Sequence, residues 1–281
     1  MIRIVIIVHR DDPPLTDLRY MAAPIADAWK AMGHDVVIVS GPQESADGDI
    51  AMLHVNVTVV PDDHVQFAQR FPVTINGRVA DISKRFISRH LVRQDDGYEG
   101  PVIVKTNLNS GGRREAMLGA RRSPEQRANR AMQHQLPWAY RTVMSIDEYR
   151  VYDTVDQVPE PVWSNECLVV EKFFAEVHDG LYALRTWIFL GDKETNTIGY
   201  SHDKIINANN TVRWENAPVP EDLREKREEL GFGYGKFHYV VVDGRTILFD
   251  ANRTATFGSS RPLEHYIERG RMLAEGLESF L

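Results

Sequence analysis

Residues 102–112 read Val102-Ile103-Val104-Lys105-Thr106-Asn107-Leu108-Asn109-Ser110-Gly111-Gly112. Val102–Thr106 is β-branched apart from Lys105, which predicts a short strand with a cation near its end. Asn107–Gly112 is too polar and glycine-rich to pack in a core and predicts a loop. A lysine at that point can reach phosphate oxygens as a point charge, and small residues let backbone N–H groups come close to them. A strand-end lysine before an ordinary turn would look the same, so the stretch needs company. Neither G-x-x-x-x-G-K-[ST] nor G-x-G-x-x-G after the first strand occurs, which removes the P-loop and dinucleotide fingerprints.

Two further stretches supply that company. Leu168-Val169-Val170-Glu171-Lys172-Phe173-Phe174 is an apolar strand that ends in a charged pair and resumes with aromatics. Such a segment suits an adenine slot, with backbone groups for the base edge and apolar walls. It equally describes a buried strand with a wet end. Phe249-Asp250-Ala251-Asn252-Arg253 places Asp250 and Asn252 two apart, on one side of a strand. Both offer oxygen, which suits a hard cation. This strand closes a hairpin, since Phe237–Val242 and Thr246–Phe249 flank an Asp243-Gly244 turn.

Working outward, residues 2–8 are nearly unbroken apolar and β-branched, as in a parallel strand buried on both faces. Met21, Ile25, Ala28, Trp29 and Met32 recur at helical spacing, and Gly33 stands where the helix should end. Val36–Val39 is the next strand, and Leu53–Val60 and Val73–Asn76 are two more. Further on, Lys84–Val92 predicts a helix, 113–135 an arginine-rich helix plus mobile surface, Tyr182–Leu190 and Thr197–Ile206 strands, Glu221–Leu230 an exposed helix and Glu264–Phe280 a closing amphipathic helix. The chain begins as α/β and continues with mixed and antiparallel strands, unlike a plain doubly wound nucleotide fold.

The 281 residues are 43% hydrophobic and 26% charged, the profile of an ordinary globular protein. The net charge of −7 argues against general nucleic-acid binding, which needs clustered cations. No run approaches the roughly 20 apolar residues needed to cross a bilayer, and residues 1–8 read as a strand rather than a signal peptide. Cys167 is the single cysteine, so no intrachain disulfide forms; it reads as a packed strand-end thiol, and a cytoplasmic location is expected.

In combination and order, these stretches resemble the ATP-grasp superfamily of carboxylate–amine and carboxylate–thiol ligases. Val102–Lys105 with Ser110-Gly111-Gly112 is similar to the family's lysine strand and phosphate-covering loop. Val169–Phe174 resembles its interlobe hinge, and Phe249–Asn252 its closing metal motif. The match spans roughly residues 73–260. It implies an α/β and α+β protein: a small Rossmann-like N-terminal domain over 1–78, a central lobe and lid over 79–174, and a C-terminal lobe over 175–281.

The resemblance also implies roles. Lys84 and Lys105 would contact ATP phosphates beneath Ser110, Gly111 and Gly112. Backbone groups of Lys172 and Phe174 would meet adenine, with Glu171 or Glu176 near the ribose. Asp250 and Asn252 would bind Mg²⁺, with Mn²⁺ as a second option. Arg185 would steady the transferring phosphoryl group, and Lys204 and Arg253 would anchor the acceptor carboxylate. The loop at 107–112 and the residues after it would close as a lid.

One departure stands out. The family usually carries an acidic ligand where this chain has His238, and imidazole is a poor ligand for Mg²⁺. His238 either touches metal or phosphate differently, or leaves the ion to Asp250, Asn252, phosphates and water, or marks a weakened site.

The implied activity is ADP-forming activation of a small-molecule or peptide carboxylate as an acyl phosphate, then attack by an amine. A kinase acting on a hydroxyl, and an ATP-binding protein without turnover, are the alternatives. Acceptor specificity is expected from loops 9–20 and 207–220, and a homodimer is expected on base rate.

Overall fold

Strand β1 (Arg3–Val8) sends alternate side chains into two different cores: Ile4, Ile6 and Val8 into one, Val5 and Ile7 into the other. A strand covered on both faces has no polar side to present, which is why its sequence is an unbroken apolar run. It lies at the centre of a parallel four-stranded sheet ordered β2-β1-β3-β4, with β2 at Asp35–Ser40, β3 at Ile50–Leu53 and β4 at Val73–Ile75. The computed structural model describes residues 1–15, 20–43, 45–122, 132–133, 135–257 and 262–281.

Helix α1 (Ala22–Ala31) buries Ala22, Ile25, Ala26, Ala28 and Trp29. Its Trp29 indole N–H donates to Ala274 O at 2.9 Å, at the end of α7 (Leu263–Ala274). The closing helix thus returns to cover the first one. On the other side of the sheet lies α2 (Asp62–Ala68). The expected strand over 53–60 is displaced. The β3 ladder stops at Leu53; beyond it the carbonyls of Val55, Val57 and Thr58 accept from the Arg253 guanidinium, and residues 58–60 bridge to residues 80–82 instead of continuing beside β1.

A second sheet joins β5 (Val102–Thr106), β6 (Arg150–Tyr152) and β7 (Leu168–Lys172), antiparallel, with β5 central. The helix expected over 84–92 is one turn only, α3 (Lys84–Ile87), started by Ser83, whose side chain accepts from Phe86 N. The chain then becomes extended and pairs with β7: Lys172 N–H donates to His90 O and Val92 N–H to Val170 O, each at 2.9 Å. Strand pairing overrides local helix propensity there. Within the arginine-rich stretch 113–135, α4 occupies Arg113–Arg122; residues 123–131 and 134 lie outside the described residues. The short α5 (Glu160–Ser164) follows β6.

The third sheet is ordered β11-β10-β9-β12-β13, with β8 (Glu176–His178) paired to the first residues of β9, Leu181–Ala183. Its members are β9 (Leu181–Leu190), β10 (Lys193–Ser201), β11 (Arg213–Asn216), β12 (Tyr234–Val242) and β13 (Arg245–Asn252). One face buries Trp187, Phe189, Phe237 and Tyr239, joined by Leu223 of α6 (Glu221–Leu230). Each such large side chain taken from water contributes about 1.5–3 kcal/mol. The β12–β13 turn has Asp243 and Gly244 both at positive φ, as a two-residue hairpin with the right twist requires. The register shifts between His238 and Tyr239, leaving His238 opposite Asp250. Expected as a strand to Ile206, β10 ends at Ser201, and residues 204–206 bend inwards instead.

Candidate functional site

The second and third sheets enclose a cleft of about 330 Å³. Strand alternation decides what faces it. Lys236, His238 and Val240 project from one side of β12, and Asp250 and Asn252 from the matching side of β13. Across the cleft stand Ile103 and Lys105 of β5, Lys84 of α3, Ser110 and Gly111 of the polar loop, and Phe173 and Phe174 after β7. Lys204 lines it from the inward bend after β10. The structure thus gathers ten of the residues singled out in the sequence: Lys84, Lys105, Ser110, Gly111, Phe174, Glu176, Lys204, His238, Asp250 and Asn252.

Charge is paired tightly at the floor. Lys84 donates to Asp250 Oδ1. Burial opposes ionisation of Asp250, but Lys84 and His238 more than reverse it, and the carboxyl sits well below its ordinary range. Burial likewise opposes a charged Lys84, and Asp250 overcomes it, so its pKa is raised. Lys105 Nζ lies 2.8 Å from Glu171 Oε2 and donates to Phe249 O at 3.1 Å. Tyr149, also lining the cleft, bonds Thr106 Oγ1 at 3.1 Å.

The polar loop is an anchored turn. Ser110, Gly111 and Gly112 all have positive φ, at 49°, 70° and 73°. A Cβ on Gly111 would meet Met144 O at 1.9 Å, so a side chain there is excluded by both space and backbone. Asn109 N–H donates to Thr58 Oγ1 at 2.8 Å, and Gly111 O accepts from Met144 N at 3.1 Å. Just beyond, Glu115 accepts from Thr58 N at 2.7 Å and Arg114 pairs with Asp12. In this structure the loop expected to swing as a lid is docked against the N-terminal sheet's own loops.

Several assignments need correction. Arg253 is 0% exposed and reaches no substrate space. Its guanidinium donates to Val55 O, Val57 O, Thr58 O and Val79 O at 2.6–3.1 Å, which ties residues 55–79 to the hairpin. Burial pulls its pKa down to about 9, still charged at neutral pH. Arg185 pairs across the sheet with Tyr239, on the face of Trp187 and Phe237, opposite to His238 and Asp250. It is held by Glu176 through bonds of 2.7–3.0 Å. Glu176 borders the cleft, but its carboxylate is committed to Arg185, to His178 and to Val241 N–H, each within 3.0 Å. Burial would raise its pKa; these donors lower it. Glu171, 1% exposed, faces Lys105 and not a ribose. Lys172 has given its N–H to His90 O and places its ammonium over the Tyr98 ring, 4.8 Å from the centroid. Gly112 packs behind the turn against Thr142 O. Cys167 is half-buried, and burial pushes its thiol pKa up.

Lys236, Arg113 and Tyr149 are cleft residues that the sequence reading missed. Lys236 had a usable signal, being two residues before His238 on one strand and therefore on the same face. Phe174 N–H is given no acceptor by any described residue, which leaves a donor at the cleft wall.

The residues do not fit a magnesium or manganese ion, contrary to the expectation for Asp250, Asn252 and His238. A hard cation needs several oxygen ligands. Asn252 Oδ1 already accepts from Thr254 N and Oγ1 at 2.8 and 2.9 Å. One oxygen of Asp250 is taken by Lys84, and the other faces His238 Nδ1 at 3.8 Å. Among the described residues no three His, Cys, Asp or Glu side chains gather to hold a metal. Burial lowers the pKa of His238 and favours neutral imidazole, which suits softer metals.

Solved structures share this architecture along their whole length. The ATP-grasp ligase PsnB, complexed with minimal precursor, Mg and ADP, is 12% identical, covers 99% of this chain and 97% of its own, and superposes with a TM-score of 0.56. A D-alanine–D-alanine ligase from Bacillus anthracis is 13% identical over 100% of this chain and 96% of its own, with a TM-score of 0.52. A RimK domain ATP-grasp protein from Sphaerobacter thermophilus is 13% identical over 98% and 99%, with a TM-score of 0.50. In sequence, no family model and no curated protein matches the chain. The fold is the ATP-grasp fold, α/β in its first part and α+β beyond, as its strand order and these neighbours show. Among the described residues no helix is long and apolar enough to cross a membrane.

Proposed function

We propose that the cleft binds ATP and activates a carboxylate by phosphorylating it, in an ADP-forming ligase reaction. The observation that carries this reading is the convergence, in one cleft, of Lys84, Lys105, the left-handed turn at Ser110–Gly112 and the free Phe174 N–H. Phe174 N–H would meet the adenine edge, with Ile103, Phe173 and Phe174 as apolar walls. Lys84, Lys105 and the turn's backbone N–H groups would hold the phosphates. Phosphoryl transfer asks the protein for positioning and charge neutralisation more than for covalent chemistry.

In the reaction a carboxylate oxygen attacks the γ-phosphorus, the bond to ADP breaks, and an acyl phosphate forms. An amine then attacks the acyl carbon, phosphate leaves, and the amine gives up a proton. Lys204, exposed at the cleft mouth, is the candidate anchor for the acceptor carboxylate. A small molecule or a peptide would fit this role.

The test is incubation with ATP, a panel of carboxylates and hydroxylamine. ADP release with a hydroxamate product supports carboxylate activation. ADP release without hydroxamate points to a hydroxyl acceptor. A second reading, ATP binding without turnover, is favoured by His238 at the hairpin position that usually carries an acid; tight ATP binding with no ADP release under any mixture would select it.

A further inference from the structure

Lys236 is a cation without a carboxylate. It lines the cleft, it shares a face with His238 and Asp250, and its Cα lies opposite Asn252 in the hairpin register. No described residue forms an ion pair or hydrogen bond with it. The other cleft lysines on the floor are neutralised: Lys84 by Asp250 and Lys105 by Glu171. A lysine partly withdrawn from water on a cleft wall without a partner is a ready site for an anion to pair with. Burial indeed lowers its pKa, with Asp250 only partly opposing.

The same hairpin surface is poor in free oxygen ligands. Asn252 Oδ1 is engaged by Thr254, and Asp250 is engaged by Lys84. His238 offers an imidazole nitrogen here and no oxygen, from a partly buried side chain. Cation and ligand poverty thus coincide at one spot. A divalent cation bound by this hairpin would sit beside two ammonium groups, which repel it.

We propose that the hairpin holds the nucleotide's phosphates with the Lys236 ammonium and not through a protein-ligated divalent cation, so that nucleotide affinity does not depend on magnesium. This rests on the reading of the cleft as a nucleotide site. Lys236 takes the place of the metal as the positive charge under the terminal phosphates, with Lys84 sharing its hydrogens between Asp250 and phosphate.

The experiment is calorimetric titration of the full chain with ATP, once in excess EDTA and once in excess MgCl₂. Wild type, Lys236→Met and His238→Glu are compared, with a thermal melt of each to show that it is folded. Wild-type affinity should agree within about threefold between the two media, and Lys236→Met should weaken binding in EDTA by about tenfold or more. His238→Glu should acquire a magnesium requirement that wild type lacks. Should Lys236→Met fail to fold, Lys236→Gln keeps a polar hydrogen-bonding side chain and removes the charge. Wild-type binding that weakens more than about tenfold in EDTA overturns the inference and leaves the nucleotide reading intact. Binding in neither medium removes the nucleotide reading, and the inference with it.

Discussion

Lys84 donates its ammonium to Oδ1 of Asp250 and so joins the single turn of α3 to the last strand of the hairpin, 166 residues away in sequence. Lys84 is almost fully buried, so neither charge can be withdrawn without leaving the other exposed to a poor solvent.

This pair sets an acid dependence. The folded-state pKa of Asp250 is depressed, so its contribution to stability is present above the unfolded carboxyl value and fades as pH falls towards the folded one. Asp250→Asn should destabilise the protein by about 3 kcal/mol near neutrality, because Lys84 is left uncompensated. The difference from wild type should stay level from about pH 8 to 5 and shrink below about pH 4. Urea unfolding across pH checks it; a difference that does not shrink in acid would mean that the pair is not ionic.

Arg253 should matter for folding and not for substrate. Its planar fork serves four carbonyls at once, which a lysine cannot do. Arg253→Lys should cost about 3 kcal/mol or more, seen as a lower midpoint in thermal or urea unfolding. At temperatures where the variant remains folded, its affinity for ATP should stay close to wild type. A variant of wild-type stability would contradict the clamp.

Gly111→Ala should displace the turn. The new methyl group collides with Met144 O, and alanine resists the positive φ. A loss of about 1–3 kcal/mol in stability is expected. Weaker ATP binding should accompany it, while Gly97→Ala, a positive-φ glycine with no neighbour within 4 Å, should leave binding unchanged.

Lys105→Ala should abolish most ATP turnover under the proposed function. It also strands Glu171, whose Oε1 has no partner already, so stability should fall as well. The double change Lys105→Ala with Glu171→Ala should restore stability without restoring turnover. Recovery of turnover by the double variant would remove Lys105 from the phosphate site.

Much of the fold was legible because its signals are local. The apolar run of β1, the heptad-like spacing before Gly33, the charged helix Glu221–Leu230 and the Asp243-Gly244 turn each report on a few neighbouring residues. The helix expected over 84–92 failed for the opposite reason. Residues 90–92 gain backbone hydrogen bonds from β7, some eighty positions on, and no window of sequence around them contains that partner. The strands β6, β8 and β11 are three or four residues long, too short to show a period.

The site divides in the same way. Lys105, Ser110, Gly111, Phe174, Asp250 and Asn252 could be proposed from residue type and spacing, and the structure gathers them in one cleft. Charge partners could not be read. Arg253 and Arg185 look alike in sequence as cations beside a candidate site, yet one is fully buried among carbonyls and the other is turned to the opposite face with Glu176. Sequence alone marked several of the longer strands and helices and the residue types that could carry nucleotide chemistry, because propensity and alternation act over a few residues. The tertiary structure alone decided which cations are spent on carbonyls and carboxylates and which, like Lys236, remain to meet a ligand. Ion pairing and burial depend on distances between segments far apart in the chain, and those distances exist only once the sheets have packed.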